Sequence, residues 1–191
     1  MQRFGGPGEV ANRVMVEAGI ASGREPSEIV ELHSYVGRFL KLKGTSLGAE
    51  DEEPFPMRLL HFRRTFVEKM FAIRSKVELL KRDKQALGSY ARHYYDLYQL
   101  SLHPEVEAML RSEEYGVIKA DYDEIGRTHF PKSYFCPEGM SFAHSDALYP
   151  SAELSAAIGQ EYEAQCKMLC YGSYPSWADV QARFVGMRQL L

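Results

Sequence analysis

Three residues in the middle of the chain have the types and spacing needed to bind or transfer a phosphate group. Helical spacing places Lys69 at the margin of an apolar stripe, where its ammonium group could contact phosphate as a flexible point charge. Arg92 and Asp96 are four residues apart, so one helix face would hold both and let them pair. Two simpler interpretations stay open: Lys69 only covers core residues with its aliphatic stem, and Asp96 is a structural anchor.

The other residues capable of chemistry form no recognisable motif. We expect His93 to project to a different side of its helix from Asp96 and to be structural. Cys166 and Cys170 share a helix face, but no nearby histidine or cysteine completes a zinc site, so we interpret them as buried thiols. The sequence contains no P-loop, no dinucleotide-binding fingerprint, no GxSxG and no EF-hand loop.

Positive charge is concentrated around the two candidate helices. Residues 58–92 contain ten basic and three acidic residues, a net charge of +7, within a chain whose overall charge is −3. The overall charge excludes a generally basic nucleic-acid coat protein, whereas the local strip suits a polyanion such as RNA or a nucleoside triphosphate. The alternative is a solvated helix face, which charge alone favours.

Composition indicates a globular protein of a reducing compartment. The 191 residues are 45% hydrophobic, which allows a sizeable core. Three cysteines imply no disulfide framework, so we predict a cytoplasmic location. Neither a signal-like apolar segment at the start nor an apolar run long enough for a membrane span is found in the sequence, so we expect no membrane association.

Apolar periodicity predicts mainly helices. The clearest helix covers 63–82, because Phe66, Met70, Ile73, Val77 and Leu80 recur at spacings of four and three. A second helix is predicted over 85–102, with Leu87, Tyr90, Tyr94 and Tyr98 on one stripe. Further helices are predicted at 104–112, at 115–126, at 151–171 and from Pro175-Ser176-Trp177 onward.

The first 62 residues and the segment 128–150 are less regular. We predict short helices over 9–21 and, capped by Ser27, over 28–42. A solvated connection over 44–56 and a short strand over 57–62 follow. The segment 128–150 is predicted to be an ordered loop. The expected fold class is therefore mainly α, a helical bundle with a short residual β element.

Two segments carry more specific motifs. Residues 65–73 read TFVEKMFAI, a T-F-x-E-K helix, and residues 91–100 read ARHYYDLYQL, an R-x-x-x-D-L-x-x-L helix. Their order and separation resemble those of the AbiEii/AbiGii family of nucleotidyltransferase toxins. Three further segments resemble elements of the same family more weakly: Arg3-Phe4-Gly5-Gly6-Pro7, Ser34-Tyr35-Val36 and Pro175-Ser176-Trp177.

The resemblance implies transfer of a nucleotide from a nucleoside triphosphate to an acceptor, such as tRNA, in a type IV toxin–antitoxin or phage-defence system. A cognate antitoxin encoded nearby is the implied partner. In the family, carboxylates on a central sheet hold Mg²⁺, which assists the transfer. By position, Lys69 resembles the phosphate-contacting lysine, Arg92 the basic member of the last motif, and Asp96 its catalytic acid.

The sequence departs from the family at the metal site. The family's G-S-x-x-D signature has no counterpart here; Asp121 and Asp123 come too late, and His93 stands where the family often has an acid. We therefore expect the chain to correspond to the C-terminal part of the nucleotidyltransferase-like fold, with a remnant of the catalytic core and its connection at 1–56 and a helical domain at 57–191. Such a chain would be inactive alone and would self-associate through an uncovered apolar face.

The competing hypothesis is a non-catalytic helical module. Such a module would bind RNA or a protein partner through the basic strip and retain the toxin motifs only as structure.

Overall fold

The computed structural model describes residues 23–49 and 52–191. The predicted helix at 9–21 and the Arg3-Phe4-Gly5-Gly6-Pro7 turn lie outside the described residues.

The first elements form a small α/β unit. Strand β1 (Ser27–Leu32) pairs antiparallel with β2 (Phe55–Leu60), with Ser27 opposite Leu60, and helix α1 (Tyr35–Lys43) lies between them in sequence. We call these three elements the N-terminal unit. The predicted boundary between the remnant of the catalytic core and the helical domain falls at position 56. Strand β2 contains residues on both sides of that boundary.

The predicted helix over 28–42 was wrong in its first part. Residues 28–32 include the β-branched pair Ile29-Val30 and form a strand, because β2 supplies hydrogen-bonding partners for their backbone. The helix begins only after Ser34, whose hydroxyl accepts a hydrogen bond from the backbone amide of Gly37. The strand predicted over 57–62 is confirmed, with slightly earlier bounds.

Helix α2 (Phe62–Asp83) confirms the prediction over 63–82 and is the centre of the bundle. Four residues of its predicted stripe are buried, and Leu80 is partly buried. Val67 and Phe71 are buried as well, so the apolar face is wider than the spacing suggested. The reason is that other elements pack around α2 on several sides, among them α3 (His93–Ser101), α4 (Pro104–Leu110) and α5 (Glu113–His129).

The segment 85–102 is two elements instead of the single predicted helix. A 3₁₀ segment (Gly88–Arg92) precedes α3. Gly88 has a positive φ of 56°, and the Glu161 carboxylate accepts hydrogen bonds from the backbone amides of Leu87 and Gly88. This distant carboxylate satisfies donors that a continuous helix would leave free at its start. As a result Tyr90 is 38% exposed, whereas Tyr94 is fully buried.

Two further helices complete the bundle. Helix α6 (Ala152–Leu169) begins at Ser151 as predicted, and α7 (Trp177–Met187) begins with a capping box between Ser176 and Asp179. The loop predicted at 128–150 is confirmed from 130 onward, with a short 3₁₀ turn at Phe142–His144. Tyr94 anchors it by donating to the Ala147 carbonyl at 2.8 Å.

The fold is mainly α with a two-stranded β element, as expected. We call the described residues from 62 onward the helical bundle. Among the described residues, no helix has the length and apolar character needed to cross a membrane.

Candidate active site

Helices α2 and α3 bring together a lysine, a histidine and an aspartate. Lys69 Nζ donates to Asp96 Oδ2 at 2.7 Å and lies 3.0 Å from His93 Nδ1. His93 Nδ1 is 3.3 Å from the same carboxylate oxygen. We call these three residues the site cluster. Lys69 comes from α2, and His93 and Asp96, which follow it by 24 and 27 positions, come from α3.

Buried neighbours hold both helices in place. Lys69 follows the buried Phe66 and Val67 and precedes the buried Met70, so its backbone is fixed while its ammonium lies at the edge of the core. Asp96 lies in the first turn of α3, where the helix dipole favours a negative charge. Tyr94 and Leu97 flank Asp96 in sequence and have no exposed surface, so α3 is anchored on either side of the carboxylate.

The environment keeps Asp96 ionised. Partial burial by itself would raise the pKa of Asp96, but hydrogen bonds and charge attraction from His93 and Lys69 outweigh it, so the pKa lies below its usual value. A carboxylate of this kind is a weak proton acceptor at neutral pH. It is well suited to holding a cation or orienting a hydroxyl group.

His93 belongs to the site cluster, which corrects the prediction that it projects away from Asp96. Residues three apart on a helix lie on the same side, and this spacing was the signal that the sequence interpretation missed. One ring nitrogen cannot serve both neighbours. Unprotonated Nδ1 accepts from Lys69, whereas protonated Nδ1 donates to Asp96. Whether Nδ1 of His93 carries a hydrogen therefore decides whether Lys69 has one or two acceptors.

Arg92 does not join the cluster. Its side chain is exposed, and the predicted pairing with Asp96 is not formed in the described structure. Arg92 is the last residue of the 3₁₀ segment, and the regular α-helical spacing begins only with His93, so the four-residue rule does not bring the two side chains together.

Most of the basic strip on α2 is balanced within the fold. Of the seven basic residues in this helix, five form ion pairs. Arg64 is the most buried and binds both Glu68 and Asp121. The other pairs are Arg63 with Glu105 and Glu114, Lys69 with Asp96, Arg74 with Glu78, and Lys81 with Glu78 and Asp146. These charges are therefore largely engaged inside the protein.

Two cations of α2 contact aromatic rings instead. Lys76 Nζ lies 4.2 Å from the centre of the Tyr90 ring, and the Arg82 guanidinium lies 4.5 Å from that of Phe135. Within the described ranges, neither has a carboxylate within 4.0 Å. Tyr90 in turn contacts His93 edge-on, with ring centres 5.5 Å apart. Sequence reasoning did not assign Tyr90 a site role, because its position depends on the break at Gly88.

The site cluster does not fit Mg²⁺. It offers a single carboxylate, and the oxygen nearest to its neighbours already binds the Lys69 ammonium, which would repel a divalent cation. In the portion of the chain that the structure describes, no three histidine, cysteine or acidic residues are grouped to hold a metal. Cys166 is buried, as predicted, whereas Cys170 is only half-buried. Burial raises the pKa of Cys166 to about 11.

Comparison with known proteins identifies the family. The model of a family described as "Nucleotidyl transferase AbiEii toxin, Type IV TA system" matches residues 2–182, nearly the whole chain. No curated protein and no solved structure matches the chain. The family description implies an antitoxin as a partner. On the evidence of this match, the chain belongs to the AbiEii nucleotidyltransferase toxin family of type IV toxin–antitoxin systems.

Proposed function

We propose that this chain supplies the phosphate-binding and acceptor-orienting part of a toxin that transfers a nucleotide from a nucleoside triphosphate to an acceptor such as tRNA. The observation that carries the proposal is the 2.7 Å contact between Lys69 and Asp96, because it joins the two motif helices at one point. The family match supports nucleotide transfer as the type of reaction.

In this proposal, the triphosphate competes with Asp96 for the Lys69 ammonium. The Lys69 side chain is 22% exposed, and its ammonium already has an anionic partner. A phosphate oxygen can therefore replace the carboxylate without leaving the ammonium unpaired. Asp96, ionised and released, then accepts a hydrogen bond from the attacking hydroxyl of the acceptor and orients it. The hydroxyl oxygen forms a bond to the α-phosphorus as the bond between that phosphorus and the pyrophosphate oxygen breaks. The hydroxyl proton passes to solvent, and pyrophosphate leaves.

Arg92 has a separate role in the proposal. Because its side chain is exposed beside the site and does not pair with Asp96, it remains available to contact phosphates of the nucleotide or of the acceptor backbone. This contact would raise the affinity for the nucleotide or the acceptor more than it would raise the rate of the transfer step.

Mg²⁺, which the family's chemistry requires, would be held by carboxylates other than those of the site cluster. The 191 residues contain no G-S-x-x-D motif. The proposal therefore includes that these residues alone do not catalyse transfer, and that activity needs a segment with paired acids. Its biological setting would be toxicity or phage defence controlled by the antitoxin.

The first experiment incubates the purified 191-residue chain with labelled nucleoside triphosphates, Mg²⁺ and total tRNA. We expect no label in the tRNA. The same assay is run with the chain extended by whatever its reading frame encodes upstream of Met1, where a G-S-x-x-D segment is expected. Transfer by the 191-residue chain itself would refute its inactivity, and unrelated sequence upstream would favour the non-catalytic module.

Substitutions in the active, extended protein test the site. We expect Lys69→Ala and Asp96→Asn each to lower the transfer rate by roughly 100-fold or more, the usual cost of losing a group that binds or orients the reacting atoms. The matched controls are Lys81→Ala and Asp146→Asn, which break another lysine–aspartate pair of α2 at 2.5 Å, outside the motifs. Equal effects in both pairs would mean that Lys69 and Asp96 act only as structure.

One observation favours a protein partner over RNA for the non-catalytic alternative. The basic strip is largely ion-paired, whereas Tyr35, Val36, Phe39 and Leu42 of α1 are all more than half exposed. An exposed apolar helix face of this kind favours contact with protein. We propose a second copy of the chain as its occupant, and self-association of the purified chain is the expected result.

A further inference from the structure

A small pocket opens next to the site cluster. It lies between α2, the 3₁₀ segment, α5 and the loop that follows α5, and has a volume of about 170 Å³. Its lining includes Ala72, Ser75 and Lys76 from α2 together with the tyrosines Tyr90, Tyr122 and Tyr134. We call it the aromatic pocket. Nothing in the two family motifs assigns a role to it.

The walls of the pocket are flat aromatic surfaces held in position by the core. Phe71, which is buried, packs against Tyr122 and Tyr134 with ring centres 4.9 and 5.9 Å apart. Tyr134 is further fixed because its hydroxyl donates to Asp123 at 2.6 Å. Tyr90, which the 3₁₀ segment contributes to the lining, keeps 38% of its surface exposed. Rigid aromatic faces with one exposed ring provide a surface on which another planar ring can stack.

The pocket has a free cation at its edge. Lys76 lies over the Tyr90 ring and, in the described ranges, has no carboxylate within 4.0 Å. Glu68, about two turns before Lys76 on α2, is already bound to Arg64 at 2.7 Å. An anion beside Tyr90 would therefore meet an ammonium group that is not neutralised.

The pocket and the site cluster are continuous through Tyr90. Its ring contacts both the Lys76 ammonium, which belongs to the pocket lining, and the His93 ring of the site cluster. Lys69 and Lys76 are seven residues apart, about two helical turns, and so lie along one side of α2. A planar ring that takes the place of the Lys76 ammonium over Tyr90 can therefore keep that ammonium beside its phosphates and place negative groups near both lysines.

We propose that the aromatic pocket binds a nucleobase whose ribose and phosphates extend outside it along Lys76 to Lys69; this inference rests on the nucleotidyl-transfer function proposed above. The volume is below the 300–1,000 Å³ or so that is typical for complete small ligands, so the pocket holds the base alone. The base belongs either to the incoming nucleoside triphosphate or to an unpaired nucleotide of the acceptor RNA. Both present the same chemistry, a planar ring attached to phosphate.

The test measures binding by the 191-residue chain without Mg²⁺, so it does not depend on catalysis. The ligands are the four nucleoside triphosphates, inorganic tripolyphosphate and tRNA. Calorimetry or NMR of the tyrosine rings measures their binding. Tyr90→Leu removes the stacking surface, Tyr90→Phe retains it, and Lys76→Gln removes the charge. Tyr171→Leu, at a fully exposed tyrosine, and Arg82→Gln, in the other cation–aromatic pair of α2, are the matched controls.

We expect Tyr90→Leu to weaken nucleoside triphosphate binding by about tenfold or more, as loss of a stacked base does, and to leave tripolyphosphate binding unchanged. Lys76→Gln should weaken both ligands, and Tyr90→Phe and the two controls should bind like the unchanged protein. If Tyr90→Leu weakens tRNA binding and not triphosphate binding, the base belongs to the acceptor. Thermal unfolding of each variant confirms that it is folded.

Two results would overturn the inference. One is that the unchanged chain binds neither the nucleoside triphosphates nor tRNA measurably. The other is that Tyr90→Leu binds both as tightly as the unchanged chain does. Neither result would by itself refute the proposed function. That proposal fails separately, when Lys69→Ala and Asp96→Asn leave transfer by the extended protein unchanged.

Discussion

The helical bundle and the N-terminal unit use similar apolar patterns with opposite results. In the bundle, Phe66, Met70 and Ile73 of α2 have no exposed surface, because α3, α4 and α5 pack around that helix. In the N-terminal unit, Tyr35 and Leu42 of α1 are 89% and 85% exposed. An amphipathic pattern therefore predicts a helix but does not show that its apolar face is covered.

The same comparison separates two kinds of function. The residues expected to perform chemistry lie on bundle helices whose core is complete, so their geometry can be precise without any partner. The apolar face of α1 has no comparable covering within the described residues, and is suited to contact with another chain. The proposed catalytic positioning and the proposed partner binding therefore involve different parts of the molecule.

The largest expected effect is on the free energy of unfolding. Phe66→Ala removes a fully buried ring from the centre of the bundle and should cost about 3–5 kcal/mol. Phe39→Ala removes a ring that is 57% exposed and should cost less than about 0.5 kcal/mol. Urea unfolding followed by circular dichroism measures both. Similar losses in the two variants would show that α1 is packed in solution and would remove the contrast between the regions.

How much of this arrangement could be predicted depends on how local its causes are. Short stretches of sequence determine the period of α2, the helix starts at Ser151 and near Ser176, and the strand near 57–62. These predictions were confirmed. The strand β1 depends on pairing with residues about 30 positions later, and the break at Gly88 depends on Glu161, 73 positions away. Local patterns contain no information about such partners.

The candidate site divides in the same way. The motif resemblance pointed to Lys69 and Asp96, and the structure places them together. His93 could have been found from its spacing to Asp96. Tyr90 and the aromatic pocket could not, because the pocket forms only where α5 and the loop after it meet α2. Arg92 shows the reverse error, since a local rule was applied where the helix had not yet begun.

Arg64 connects the two regions, and removing it should have the second-largest effect. Its guanidinium is buried, binds Glu68 and Asp121, and donates to the Glu25 carbonyl at 2.7 Å, just before β1. Arg64→Ala leaves the half-buried Glu68 without its cation and should cost about 3 kcal/mol.

The control for this prediction is Arg111→Ala, which breaks an exposed pair with Glu107 and should cost less than about 0.5 kcal/mol. Hydrogen exchange of the β1 and β2 amides should increase in Arg64→Ala and stay unchanged in Arg111→Ala. Unchanged exchange in both would mean that Arg64 stabilises the bundle only.

Self-association is the third test of the comparison. If the apolar face of α1 drives it, Leu42→Glu should weaken the association of the purified chain by about tenfold, because a fully buried leucine contributes about 1.5–3 kcal/mol. Val185→Glu, at an exposed valine of α7 in the bundle, is the matched control. Sedimentation velocity over a range of concentrations gives the constants. A chain that stays monomeric at high concentration contradicts the prediction.

The smallest expected effect concerns the pH dependence of stability within the site cluster. The pKa of Asp96 in the folded protein lies below its usual value, because His93 and Lys69 favour the charged form. Its ion pair therefore stabilises the fold fully above the ordinary aspartate pKa of about 4. This contribution is lost as the pH falls through the lower pKa of the folded state, because the unfolded chain takes up the proton first. Since the side chain is 37% exposed, solvent screening limits the effect to less than about 1 kcal/mol.

Urea unfolding at pH 6 and near pH 3 should show a smaller acid destabilisation in Asp96→Asn than in the unchanged protein, and a similar reduction in Lys69→Met, which removes the cation. Identical acid destabilisation in all three proteins would show that the 2.7 Å contact between Lys69 and Asp96 does not persist in solution, and the site cluster would then lose the geometry on which its proposed chemistry depends.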